Sequence, residues 1–107
     1  MRLIVGLILV TTSLSSLADC SSVNCSAVKI TRMVVNAEGD IGLGTSGNES
    51  NLSCDAGSSG YITLKKMSSN FDHLYSLILS AHVTNHPVTI RTTNASTCEV
   101  VYLVSDK

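Results

Sequence analysis

Gly60-Tyr-Ile-Thr-Leu, Phe71 through Val83, Pro87-Val-Thr-Ile-Arg and Glu99-Val-Val-Tyr-Leu-Val follow one another in the C-terminal half of this chain. Their periodicities alternate between two and 3.6 residues. Tyr61, Thr63 and Lys65 alternate with Ile62, Leu64 and Lys66, the pattern of a strand with one buried face. Phe71, Leu74, Tyr75, Ile78, Ala81 and His82 then recur at the three/four spacing of one helical face, with Leu77 beside it. Ser69 is placed to cap that helix, with Asp72 three residues on as its capping-box partner. Pro87 disfavours helical geometry at His86 and ends it. Val88 to Thr92 and Glu99 to Val104 are rich in β-branched residues and read as two more strands, joined by a turn over 93–97.

Two strands precede this block. Ala27-Val-Lys-Ile-Thr-Arg-Met-Val-Val alternates, with Val28, Ile30 and Arg32 on one side and Lys29, Thr31 and Met33 on the other. Asn36 to Asp40 is a turn, and Ile41-Gly-Leu-Gly-Thr is a weaker strand whose glycines mark bulges or sharp coiling. Asp19 to Ser26 reads as polar coil, and Ser46 to Ser59 as a long hairpin tip or loop. The order strand, strand, strand, helix, strand, strand is that of the OB-fold, a five-stranded Greek-key barrel. The expected fold is therefore mostly β with one helix, closed as an OB-fold-like barrel.

Residues 1–18 are read as a signal peptide. Arg2 gives a positive start, Leu3 to Val10 is an apolar run, and Ser16-Leu17-Ala18 presents small residues for cleavage before Asp19. The run is shorter than the roughly 20 residues that cross a bilayer, so no membrane span is expected in the mature chain. Removing 18 residues from 107 leaves a single domain of 89. So small a domain has a small core, which disulfides commonly supplement in secreted chains. All four cysteines lie after the cleavage point. They permit three pairings. In an OB barrel the third and fifth strands are parallel neighbours, and Cys54 and Cys98 stand just before them. That favours Cys54–Cys98 with Cys20–Cys25, against Cys25–Cys54 with Cys20–Cys98. The compartment implied is secreted or periplasmic.

Seven Lys/Arg stand against eight Asp/Glu, and the basic residues are scattered apart from Lys65-Lys66. A nucleic-acid partner held by phosphate neutralisation is not expected. Catalytic and metal chemistry find little purchase. His82 and His86 have i, i+4 spacing, but the helix ends between them, and His73 lies on another face. An even cysteine count leaves no free nucleophilic thiol, and no Gly-x-Ser-x-Gly elbow occurs. Asp40, Glu49, Asp55 and Asp72 are accounted for by turns and caps. No enzyme activity, cofactor or metal is expected. Asn24, Asn48, Asn51 and Asn94 begin Asn-x-Ser triplets, which a Ser- and Asn-rich composition produces by chance.

The segment Phe71-Asp-His-Leu-Tyr-Ser-Leu-Ile-Leu-Ser-Ala-His with His86-Pro-Val-Thr-Ile-Arg resembles the helix-then-strand segment of B subunits in the pertussis-like and subtilase-cytotoxin group of bacterial AB toxins. The match covers about half of the mature chain. It implies a bacterial, secreted, non-enzymatic OB-fold protein that assembles into a homo-oligomeric ring and binds cell-surface glycans. Those subunits carry a longer, aromatic-rich segment before the last strand, where Arg91 to Cys98 is a short polar turn. The chain has no Trp, one Phe and three Tyr. The alternative reading is a periplasmic inhibitor or immunity-type protein that docks onto an enzyme and blocks it. No ligand-binding residue stands out from the sequence.

Overall fold

A computed structural model of the chain describes Gly6 and residues 18–106. Save for Gly6 and Ala18, the expected signal peptide lies outside the described residues. Among these residues seven strands run in the order β1 (Asp19–Ser21), β2 (Asn24–Val28), β3 (Ile30–Val35), β4 (Ile41–Thr45), β5 (Ile62–Leu64), β6 (Val88–Thr92) and β7 (Val100–Ser105). One helix, α1 (Phe71–Thr84), falls between β5 and β6, and a 3-10 turn covers Glu49–Asn51.

The strands form two antiparallel sheets, β1-β2-β6-β7 and β3-β4-β5. The fold is thus mostly β with one helix, and no continuous ladder closes the two sheets into one. Two joints link them. Lys29 separates β2 from β3; its N–H donates to Ser46 Oγ and its carbonyl accepts from Ser46 N–H, both at 2.9 Å. The chain thereby passes from one sheet to the other without leaving a polar group unpaired. At the opposite side Thr63 of β5 and Glu99, just before β7, form a single parallel bridge, with Thr63 N–H donating to the Cys98 carbonyl at 2.8 Å.

The polar stretch expected as coil, Asp19 to Ser26, is a hairpin instead. Cys20 and Cys25 are register partners across β1 and β2 and are joined by a disulfide, with Ser22 at φ 56° in the connection. A cross-strand covalent bond substitutes here for the apolar alternation that marks an ordinary strand. Arg32 also departs from expectation. Ile30 pairs with Thr45 and Arg32 with Gly44, so Thr31 is an extra residue on β3. A one-residue bulge turns every later side chain over. Ile30 stays buried while Arg32 is exposed on the outer face.

The core lies between the sheets. Val28, Ile30, Leu43, Ile62, Leu64 and Ile90 are its buried aliphatic centre, and Ile78 and Ala81 of α1 close it from one end against β3, β5 and β7. Complete burial of Ile78 alone is worth about 2–3 kcal/mol. The helix starts after Asn70 rather than Ser69, and Asn70 makes no side-chain cap bond. It ends with Asn85 in the left-handed region at φ 57°, where an asparagine is tolerated, and Asn85 N–H donates to the Ala81 carbonyl. The Asn36–Asp40 turn is tied by the Asn36 side chain, whose Oδ1 accepts from Glu38 N–H and Asp40 N–H at 3.0 Å, with Gly39 at φ 85°. No helix among the described residues is long and apolar enough to cross a membrane.

Candidate functional site

Two surfaces carry residues that the core does not account for. The first is the outer face of β3-β4-β5. Gly42 and Gly44 alternate with buried Ile41 and Leu43 along β4 and so stand on its outward positions, Gly44 itself buried by what lies over it. Where most strands would show two side chains, backbone is bare. Tyr61 fills that space. A Cβ on Gly42 would lie 3.2 Å from Tyr61 Cδ2, and one on Gly44 would lie 3.6 Å from Tyr61 Cε1 on the other side of the ring. The ring therefore lies along the glycine floor, and its residue is half-buried. Tyr61 is held from behind, because its N–H donates to the Ala56 carbonyl at 3.2 Å. Arg32 flanks the floor: its Cβ is 3.2 Å from the Gly44 Cβ position, and Thr31 Oγ1 is 3.6 Å from it. Gly42 pairs with Val34 on one side and Thr63 on the other, completing the row.

The charges around this face are sparse. Lys65 Nζ approaches Asp40 Oδ2 at 3.6 Å, the one ion pair among the described residues. Arg32 has no such partner there. Asp40 also accepts Lys66 N–H at 2.8 Å, and chiefly that bond lowers its pKa below the ordinary aspartate value, against an opposing effect of desolvation and with the Lys65 ammonium adding to the lowering.

The second surface is the free side of β7. This strand is the last in its sheet, and past the Thr63–Glu99 bridge no strand among the described residues pairs with its outer edge. Val101, Tyr102 and Val104 on it are 51%, 47% and 43% exposed. The strand carries no charge and no proline between Val100 and Ser105, and its only irregularity is the extra residue Val101, so most of the devices that ordinarily protect an edge are missing from its exposed part. Thr89 and Arg91 of β6 lie beside Val104 and Tyr102 in register. β3 is likewise the last strand of its sheet, with Val35 67% exposed. Its start is covered by α1, where His82 Nδ1 donates to the Ile30 carbonyl at 2.8 Å. Tyr75, Leu79 and Val83 form an exposed apolar row along the helix at i, i+4 spacing.

The sequence-flagged residues fall elsewhere. Cys54 and Cys98 are joined, as are Cys20 and Cys25, and all four are buried. Cys54–Cys98 sits beside the Thr63–Glu99 bridge and ties the loop before β5 to the start of β7, with Cys98 N–H donating to the Asp55 carbonyl at 3.1 Å. Glu49 accepts the N–H and hydroxyl of Thr45, both at 2.8 Å, and Asp55 accepts Gly57 N–H. Asp19 accepts Asn48 N–H and Cys20 N–H at 2.8 Å; these two bonds, the Asn48 bond first, lower its pKa. These carboxylates serve turns, and no group of three His, Cys, Asp or Glu gathers at one point among the described residues. His82 packs against β3, while His86 stands beyond the helix end. A depression of about 410 Å³ opens at the start of α1, lined by Lys66, Ser68, Asn70, Asp72 and His73.

The sequence reading missed Tyr61 as a positioned residue. Its signal was the Gly42-x-Gly44 alternation, which empties one side of β4 for a neighbour to occupy. Comparison of the chain with family models, curated proteins and solved structures found no match.

Proposed function

We propose that this is a secreted or periplasmic, non-enzymatic binding protein with an OB-fold strand path, working as a homo-oligomeric ring in the manner of glycan-binding toxin B subunits. The strand path supports the fold. Taking β2 and β3 as one bent strand, the neighbours run β3-β4-β5, then across the Thr63–Glu99 bridge to β7-β6-β2. That circuit returns to the strand it began on, with the helix between the third and fourth strands of the five, as in an OB barrel. The two disulfides suit an oxidising compartment.

The observation that carries the binding role is the β7 edge, which no other strand among the described residues pairs with past the Thr63–Glu99 bridge. Its free N–H and C=O groups and its exposed valines suit a strand that another copy covers. β7 and β3 are different edges, so pairing one with the other between copies is head-to-tail, and such contacts generate rings when the rotation closes. Sedimentation velocity tests this reading. The secreted chain should run as one species several times the monomer mass, and a Tyr102→Lys/Val104→Lys variant should run as a monomer. A wild-type chain that is monomeric at tens of micromolar removes the ring. The inhibitor reading uses the same exposed face on a different protein, and that monomeric outcome is what it requires.

A further inference from the structure

Resting on that reading of a glycan-binding protein, we propose that the outer face of β3-β4-β5 is the saccharide subsite, with the Tyr61 ring as its stacking platform and Arg32 as its flanking donor. Of the three tyrosines, Tyr75 and Tyr102 project from a helix and an edge strand, and Tyr75 stacks on Phe71 with ring centroids 6.0 Å apart. Tyr61 alone lies over a floor made for it. Any residue larger than glycine at 42 or 44 would drive a Cβ to 3.2 Å from Tyr61 or from Arg32 Cβ. The two glycines therefore fix the ring flat against the backbone, with its far side turned from the sheet. A flat aromatic face whose ordering cost is already met takes the C–H face of a pyranose ring.

The rim fits the same ligand. Arg32 is exposed and has no ion-pair partner among the described residues, so its guanidinium is available to donate to hydroxyl or carboxylate oxygens. Thr31 and Thr63 add hydroxyls on either side of the floor. Val34, 36% exposed, supplies an apolar border. A stacked nucleobase would use the same ring, but a nucleic-acid face needs a track of cations along the backbone. One arginine in a chain of net charge −1 does not make one.

The test uses the full secreted chain on an array of immobilised oligosaccharides, with a mixed-sequence single-stranded DNA as the second probe and sedimentation recorded on every sample. Tyr61→Leu keeps an apolar cover on the glycines while removing the aromatic face, and Tyr61→Phe keeps the face. Wild type and Tyr61→Phe should light the same sugars, Tyr61→Leu should lose at least tenfold in apparent affinity, and Arg32→Gln should lose severalfold without change in melting temperature. DNA should give no saturable binding. Sugar binding unchanged in Tyr61→Leu overturns the subsite, as does saturable DNA binding that needs Tyr61. An oligomer that retains no sugar overturns the subsite and leaves the ring standing, whereas a monomer that binds sugar through Tyr61 does the reverse.

Discussion

Replacing Cys54 and Cys98 together by alanine should cost far more stability than replacing Cys20 and Cys25. The bridged residues are 44 apart in the first case and 5 in the second. On the chain-entropy model, closing these loops in the unfolded chain is worth about 4 kcal/mol and about 2 kcal/mol respectively. Small domains have total stabilities of about 5–15 kcal/mol, so the first loss removes a large share. For a domain of this length each kcal/mol moves the midpoint by about 4–8 °C. The expected drops are therefore about 20 °C for Cys54→Ala/Cys98→Ala and about 10 °C for Cys20→Ala/Cys25→Ala. Thermal and urea unfolding followed by circular dichroism measures both, with the wild type as reference. Location adds to length. Cys98 accepts the Thr63 N–H that joins the two sheets, whereas Cys20–Cys25 lies within one hairpin at a sheet edge. Equal losses, or a larger loss for the hairpin pair, would refute the claim that Cys54–Cys98 ties the molecule together.

Gly47→Ala should destabilise the protein by about 1–3 kcal/mol, since the new methyl meets Cys20 Sγ at 2.9 Å and Cys20 N at 3.1 Å, atoms fixed by a disulfide and a backbone. A urea midpoint equal to wild type contradicts that packing. Ala27 adopts φ 51° in the irregular part of β2, a conformation that costs a non-glycine residue about 1 kcal/mol or more. Ala27→Gly should therefore raise the melting temperature by a few degrees, and Ala27→Val should lower it; a fall on going to glycine counts against the assigned backbone. Asp19 and Asp40 have folded pKa values below the ordinary aspartate value of 3.8. For groups depressed in this way the stabilisation is present above the unfolded pKa and is lost as pH falls through the folded one. Stability should thus be flat near neutrality and fall below about pH 4, less steeply in Asp19→Asn/Asp40→Asn; identical acid limbs for the two proteins would show that these carboxylates do not contribute.

The elements legible in the sequence were those with an uninterrupted period. Ile62, Leu64, Val88 and Ile90 are buried as their spacing marks, and the helical stripe buries Ile78 and Ala81 and packs Phe71 and Leu74 on the core, while Tyr75 of the same stripe stays exposed. Three features escaped for separable reasons. The Asp19–Val28 hairpin has almost no alternation, so even with Cys20–Cys25 expected as a bridge nothing in the local pattern marks its two sides as paired strands. Arg32 was assigned to the wrong face because the extra residue at Thr31 leaves no trace in composition. Asn70 displaced Ser69 as the helix cap by a single residue, within the usual uncertainty of helix ends. The candidate site was the least legible part. Tyr61 acquires its position only when Gly42 and Gly44 are set beside it across a strand pairing, and that register is a tertiary fact. The β7 edge was invisible for the same reason, since an apolar strand reads alike whether it is central or last.

The OB-fold strand path rests on a single circuit of strands, and the Thr63 N–H to Cys98 carbonyl bond of 2.8 Å is where the circuit joins β5 to the lead of β7. Amide hydrogen exchange at Thr63, read by NMR on the oxidised protein, tests that joint directly. With the sheets joined, the Thr63 amide should exchange as slowly as the core amides that open only on global unfolding. Exchange at the rate of an exposed edge amide, with the amides of β4 still protected, would mean that the two sheets are separate and that the circuit does not exist.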